Sequence, residues 1–240
     1  MKFIRDVMLV FWLYVQESRS CIGYFLLSAV LLPGGLLLFT TGVSEGRPSL
    51  RLLAGSMLFA LSMLSIMGLG STLLEDRFRG RLKLIMTCPI AASAYLAGVF
   101  LFASCQSLIS AFLMLLLAHI LYLTPHVTWM LLPVAILTTL PLSAISLINA
   151  RYAQSIYQAS LLNDMIGTGI VMICPVFYTA DILPAPLRYL SMVLPPTYAA
   201  DALLKLMSGQ QGIGFDLAVL ALMSSLALLL WPRLLPWRDE

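Results

Sequence analysis

Charge is scarce in this chain. Only 10% of its 240 residues are Asp, Glu, Lys or Arg, against about 25% in a soluble domain, while 60% are hydrophobic and the mean hydropathy is +0.96. That scarcity excludes a water-soluble globular domain, because several runs reach the ~20 apolar residues that cross a bilayer. The net charge of +3 then says little about nucleic acid, and no nucleic-acid partner is expected. Metal chemistry is equally unsupported. The cysteines (Cys21, Cys88, Cys105, Cys174) have no paired spacing and lie in or beside apolar segments, so each reads as a buried small hydrophobe.

Nucleotide chemistry is missing as well. A phosphate-cradling loop ends in Gly-Lys-Ser/Thr, yet Lys2, Lys83 and Lys205 follow Met1, Leu82 and Leu204. Ion-driven transport usually places carboxylates or histidines near the bilayer midplane. Here Asp164, His119 and Asp216 fall near the ends of apolar runs, where each reads as a residue reaching water. No catalytic residue is assigned. What remains is a membrane body without an energy source, and an engine in a separate polypeptide would have to dock on its cytosolic side.

The chain divides into six expected spans, 22–41, 52–74, 94–122, 127–150, 161–178 and 215–231, within a single transmembrane domain of residues 1–240. Residues 1–20 hold an apolar core too short to span. Glu17, Arg19 and the lack of a small-x-small site argue against a signal peptide, and the segment reads as an interfacial helix with Trp12 and Tyr14 at headgroup depth. Pro33-Gly34-Gly35 predicts a kink in the first span. Even-numbered spans put both termini on one side. That side holds Lys2, Arg5, Arg19, Arg77, Arg79, Arg81, Lys83, Arg151, Arg233 and Arg238, against Arg47, Arg51, Arg188 and Lys205 on the other, ten against four. The termini are therefore expected in the cytosol.

Between the second and third spans, residues 75–90 concentrate Arg77, Arg79, Arg81 and Lys83. Those cations fix topology in any order, but their setting does more. Arg81 to Cys88 can form a short helix between Gly80 and Pro89, with Leu82, Ile85 and Met86 on one face and the pairs Arg77/Arg81 and Arg79/Lys83 at i,i+4 spacing. Prolines at 175, at the end of the fifth span, and at 184, 186, 195 and 196 beyond it break the chain into short pieces, and residues 179–205 are expected to be outer or re-entrant helices.

These two segments resemble the membrane subunits of ABC type-2 transporters. That family typically carries an acidic residue, then Gly-Thr-Leu-Glu-Leu-Leu-Leu, then Thr-Pro. This chain has Asp76, then Gly80-Arg81-Leu82-Lys83-Leu84-Ile85-Met86, then Cys88-Pro89-Ile90. Arg81, Lys83 and Cys88 are the departures, and the first two alter the local charge. The family's second signature, an aromatic pair, Leu-Pro and Pro-x-Thr-Tyr, is matched by Phe177-Tyr178, Leu183-Pro184 and Pro195-Pro196-Thr197-Tyr198, with Thr179 and Leu194 as departures.

The resemblance implies an all-α integral membrane protein with an N-terminal interfacial helix, six spans, a cytosolic coupling helix and short outer re-entrant helices. By that resemblance the chain is the permease of an ATP-driven exporter in a bacterial or organellar inner or plasma membrane. Its partners would be a separate ABC ATPase, which supplies ATP and Mg, a second permease subunit, membrane lipid, and a lipophilic or amphipathic cargo. The coupling residues would be Asp76, Arg77, Arg79, Gly80, Arg81, Leu82, Lys83, Ile85, Met86 and Pro89. Phe177, Tyr178, Pro184, Pro195 and Tyr198 would belong to the outer helices. The second and fifth spans would line the pathway, with Met57, Met63, Met67, Met165 and Met172 as an adaptable apolar surface. An ion-coupled secondary carrier and a non-transporting membrane assembly protein are the alternatives.

Overall fold

The computed structural model describes residues 2–19, 22–43, 49–88, 90–121, 125–126, 128–178, 182–210 and 212–234. The described residues are helical, in chain order α1 (Lys2–Arg19), α2 (Ile22–Val43), α3 (Leu50–Phe78), α4 (Arg81–Thr87), α5 (Ala92–Ile120), α6 (Leu131–Tyr152), α7 (Ile156–Ile173), α8 (Ala185–Val193), α9 (Pro195–Met207) and α10 (Gly214–Leu234). Local chemistry sets several of these limits. Ser49 accepts a hydrogen bond from the Leu52 amide at 3.2 Å and starts α3, and Ser155 does the same for α7 through the Gln158 amide. Pro195 and Pro196 occupy the first turn of α9, where a missing N–H costs nothing.

Among the described residues four helices are long and apolar enough to cross a membrane: α3, α5, α6 and α10. The other two expected spans correspond to α2 and α7. α7 has 18 residues and carries Asn163 and Asp164, which dilute its apolar character. Helix limits also differ from the expected ones. The fourth run becomes helix at Leu131, and the polar link 151–160 shrinks because Ser155 caps a helix that begins at Ile156.

α3 is the central post. It packs against α2, α5, α6, α7 and α9, and 72% of its apolar window is enclosed by the chain, against 28% for α10. Among the described residues two apolar cores lie along it. One gathers Leu53, Leu58 and Leu61 with Met114, Val134, Val171 and Leu203. The other gathers Leu69, Leu73 and Leu74 with Val10, Tyr95, Leu147 and Leu82. Between them buried hydroxyls meet across helices, as where Ser65 and Ser107 lie 3.3 Å apart. In lipid, apolar burial does not drive helices together, so close approach at small residues and interhelical hydrogen bonds do that work.

Glycines mark the closest approaches. A Cβ on Gly98 of α5 would lie 2.7 Å from the Val10 Cβ and 3.0 Å from the Val7 carbonyl oxygen, so α1 rests directly on the α5 backbone. A Cβ on Gly55 would meet the Phe177 ring at 2.6 Å, and one on Gly70 would fall on the Ser146 hydroxyl of α6. That hydroxyl donates to the Ile66 carbonyl of α3.

The cysteine reading needs correction at one position. Cys174 is buried and Cys105 half-buried, but Cys88 is exposed, because it lies just past α4 where the chain turns toward α5. Cys21 lies outside the described residues. Asp216 also departs from its expectation. It is 3% exposed and pairs with the Lys205 Nζ at 2.6 Å, clasping α10 to α9, whereas His119 is exposed as expected.

Candidate functional site

The turn from α3 into α4 is where the charged stretch acquires geometry. α3 ends at Phe78, and Gly80 adopts φ +73°, a left-handed conformation that penalises any side chain. The turn separates residues that an unbroken helix would place together. Arg77 stays on α3 and Arg81 opens α4, so the expected i,i+4 pairs Arg77/Arg81 and Arg79/Lys83 do not form on one helix. Arg79 lies instead 3.8 Å from Glu75, one turn back.

Arg81 sits at the centre of a five-residue cluster drawn from four helices. Its Nη1 and Nη2 donate to the two carboxylate oxygens of Glu17 on α1, at 2.5 and 2.7 Å. The same Nη1 lies 3.4 Å from Oδ1 of Asp76 on α3. The other oxygen of Asp76 accepts hydrogen bonds from the Tyr14 hydroxyl of α1 and, at 2.6 Å, from the Tyr95 hydroxyl of α5. Asp76 is 1% exposed, so its carboxylate is partnered on both oxygens, as a buried charge requires. Tyr14, expected at headgroup depth, is 3% exposed and serves this cluster.

Burial, then the Asp76 charge, pushes the Tyr14 phenol up, so it remains a proton donor. The hydrogen bonds from Arg81 hold the Glu17 carboxyl below its usual range, and those bonds also raise the guanidinium's affinity for its proton. A carboxyl whose pKa is depressed on folding stabilises above its unfolded pKa, and loses that contribution as pH falls through the folded value. The Glu17–Arg81 pair therefore persists in mild acid where a free glutamate has begun to protonate.

The apolar face expected on α4 is present but turned inward. Leu82 is buried at 6% exposure, and Ile85 and Met86 pack against the same core. Lys83, Leu84 and Thr87 face outward, with Leu84 69% exposed. The expected coupling residues thus split into two groups. Asp76, Arg81, Leu82, Ile85 and Met86 bind α4 to the bundle, while Arg79 and Lys83 are exposed. Pro89 lies outside the described residues.

The second motif braces the other end of α3. Arg51 Nη1 donates to the Tyr178 carbonyl at 3.2 Å, and the Tyr178 hydroxyl donates to the Met172 carbonyl at 2.5 Å. Phe177 lies over Gly55. Tyr198 donates to the Met192 carbonyl at 2.8 Å and ties α9 to α8, Pro195 is buried, and Pro184 is exposed at the start of α8. α8 buries only Ser191 against its own chain, and Leu187 and Leu190 are exposed. The methionines do not form one surface. Met57 is enclosed in the core at 2% exposure, the Met63 sulfur packs near Gly167, and Met67, Met165 and Met172 are exposed.

No curated protein gives a significant match to the chain. A family model described as ABC-2 type transporter matches residues 8–208, a range that contains both the Asp76–Arg81 cluster and the brace around Phe177 and Tyr198. The match spans most of the sequence, and the chain belongs to the ABC-2 type transporter family, as an integral membrane permease.

Proposed function

We propose that this permease is the membrane half of an ATP-driven exporter whose ATPase is a separate chain, and that the ATPase docks on the outward face of α4. The two-sided packing of α4 carries the reading. Leu82 is seated in the core with Ile85 and Met86 against it, while Lys83 and Leu84 face out. A short helix joined to α3 by the Gly80 turn and to α1 by the Arg81–Glu17 pair moves with the bundle. A push on its outward face then passes to α3 and α5, and such a link biases a two-state bundle toward one of its arrangements.

On this reading α2 and α7 complete six spans, both termini lie in the cytosol, and α8 and α9 sit at the outer surface. Two permease subunits form the pathway for a lipophilic or amphipathic cargo. The exposed face of α7, with Leu161, Met165 and Met172, supports a place for that helix beside the pathway or the second subunit. ATP and Mg belong to the partner.

The double substitution Lys83→Glu with Leu84→Asp is expected to lower ATPase co-purification by at least about ten-fold, the scale of losing one well-placed interfacial contact. Membrane insertion and stability of the permease should match wild type, because both side chains point away from the core. Full retention of the ATPase by this variant contradicts the docking face.

A further inference from the structure

We infer that the exposed side of α1 is a binding surface for anionic lipid headgroups in the leaflet along which the helix lies. The inference needs only the membrane-embedded permease and is independent of the ATPase partner.

α1 touches the bundle along one narrow line. Asp6, Val10 and Tyr14, spaced four residues apart, are its buried positions, and Gly98 lets this line lie directly on α5. Val7, Phe11, Val15 and Ser18 are half-buried on one flank of that line, and the remaining positions are exposed. They include three cations, Lys2, Arg5 and Arg19. Between them stand Ile4, Met8, Leu9 and Trp12, exposed by 66, 55, 57 and 50%.

Neither acid of the helix neutralises that face. Asp6 is 6% exposed and directed into the packed side, and although Arg5 comes within 3.6 Å of it, the Arg5 side chain stays 69% exposed. Glu17 is engaged on both oxygens by Arg81. The open surface is therefore positive and apolar at once.

Apolar side chains at this exposure favour a non-aqueous neighbour, and the cations at the two ends of the helix favour one that carries negative charge. A leaflet containing anionic lipid offers both. It also suits the shape, since exposed residues wrap well beyond the width of a groove, from Ile4 on one flank to Leu13 on the other. A fluid surface can embed such a half-cylinder where a rigid protein groove cannot. Arg19 lies over the Trp12 ring, with its guanidinium carbon 5.5 Å from the centroid, which holds a cation and an indole at one depth. Basic side chains at this depth are attracted to an anionic leaflet, and added salt weakens the attraction.

The test uses the full-length chain with Trp129, Trp231 and Trp237 changed to Phe, so that only Trp12 emits. The protein is reconstituted into mixed phosphatidylglycerol and phosphatidylcholine vesicles in which either lipid carries brominated acyl chains. At equal mole fractions, brominated phosphatidylglycerol should quench Trp12 at least about two-fold more than brominated phosphatidylcholine, with the gap closing at high salt. Lys2→Gln, Arg5→Gln and Arg19→Gln together should bring the ratio to one, while Arg5→Lys with Arg19→Lys should keep it. Equal quenching by the two lipids, or a ratio unmoved in the triple glutamine variant, overturns the inference. Absence of quenching by either lipid overturns it too, and assigns the face to a protein neighbour.

Discussion

Replacing Asp76 with alanine is expected to destabilise the isolated permease by about 2–4 kcal/mol, measured by unfolding in mixed micelles with increasing denaturing detergent. The carboxylate accepts from Tyr14 and Tyr95 on one oxygen and faces Arg81 with the other, at 1% exposure. Its removal strands two buried hydroxyls, each worth roughly 1–3 kcal/mol when unsatisfied. The hydroxyls already lie 3.3 Å apart, so they can partly satisfy one another, which sets the upper limit. The loss should be local first. α1 and α4 should become accessible to protease before the rest of the bundle, because the cluster joins them to α3 and α5. Tyr95→Phe removes one donor and leaves the ion pair, so it should cost about 1 kcal/mol. An Asp76→Ala variant as stable as wild type would show that the cluster does not hold α4 to the bundle.

Gly70→Ala is the second large effect expected, at about 2–4 kcal/mol of destabilisation by the same measurement. The added methyl falls on the Ser146 hydroxyl, lies 2.9 Å from the Asn163 side-chain nitrogen and 3.2 Å from the Ser146 carbonyl oxygen. The carbonyl is backbone and cannot swing aside, so α6 has to move off α3. Ser146 would also give up its bond to Ile66. Combining Gly70→Ala with Ser146→Ala removes the nearest atom and should recover part of the loss. No recovery would mean that the α3–α6 contact is limited by backbone alone.

Several of these features were legible in the chain itself, and they share a cause. The turn at Gly80 and the Leu82, Ile85, Met86 face follow from local spacing, which a short helix after a glycine obeys, whereas Asp76 is marked only by the family resemblance. The direction of that face was not legible, because an apolar stripe does not state whether its own chain or a partner covers it. The Glu17–Arg81 pair joins residues 64 positions apart, and no pattern between them announces it. Arg81 is a departure from the family motif that alters the local charge, and its guanidinium is engaged within the chain by Glu17 and Asp76. Tyr14 illustrates the same difficulty. In an interfacial helix a tyrosine reads as a headgroup anchor, and only the packing of α1 onto α5 turns it inward. Lys205 and Asp216 lie near the ends of their helices, where water is the default partner, yet they close on each other because α9 and α10 run side by side.

On the proposed function, α4 presents Leu84 outward to an ATPase while Ile85 packs against the permease core. A photo-reactive amino acid placed singly at position 84 or 85 in the assembled transporter tests it directly. An adduct to the ATPase is expected from position 84, and only links within the permease from position 85. An ATPase adduct from position 85 with none from position 84 would contradict it.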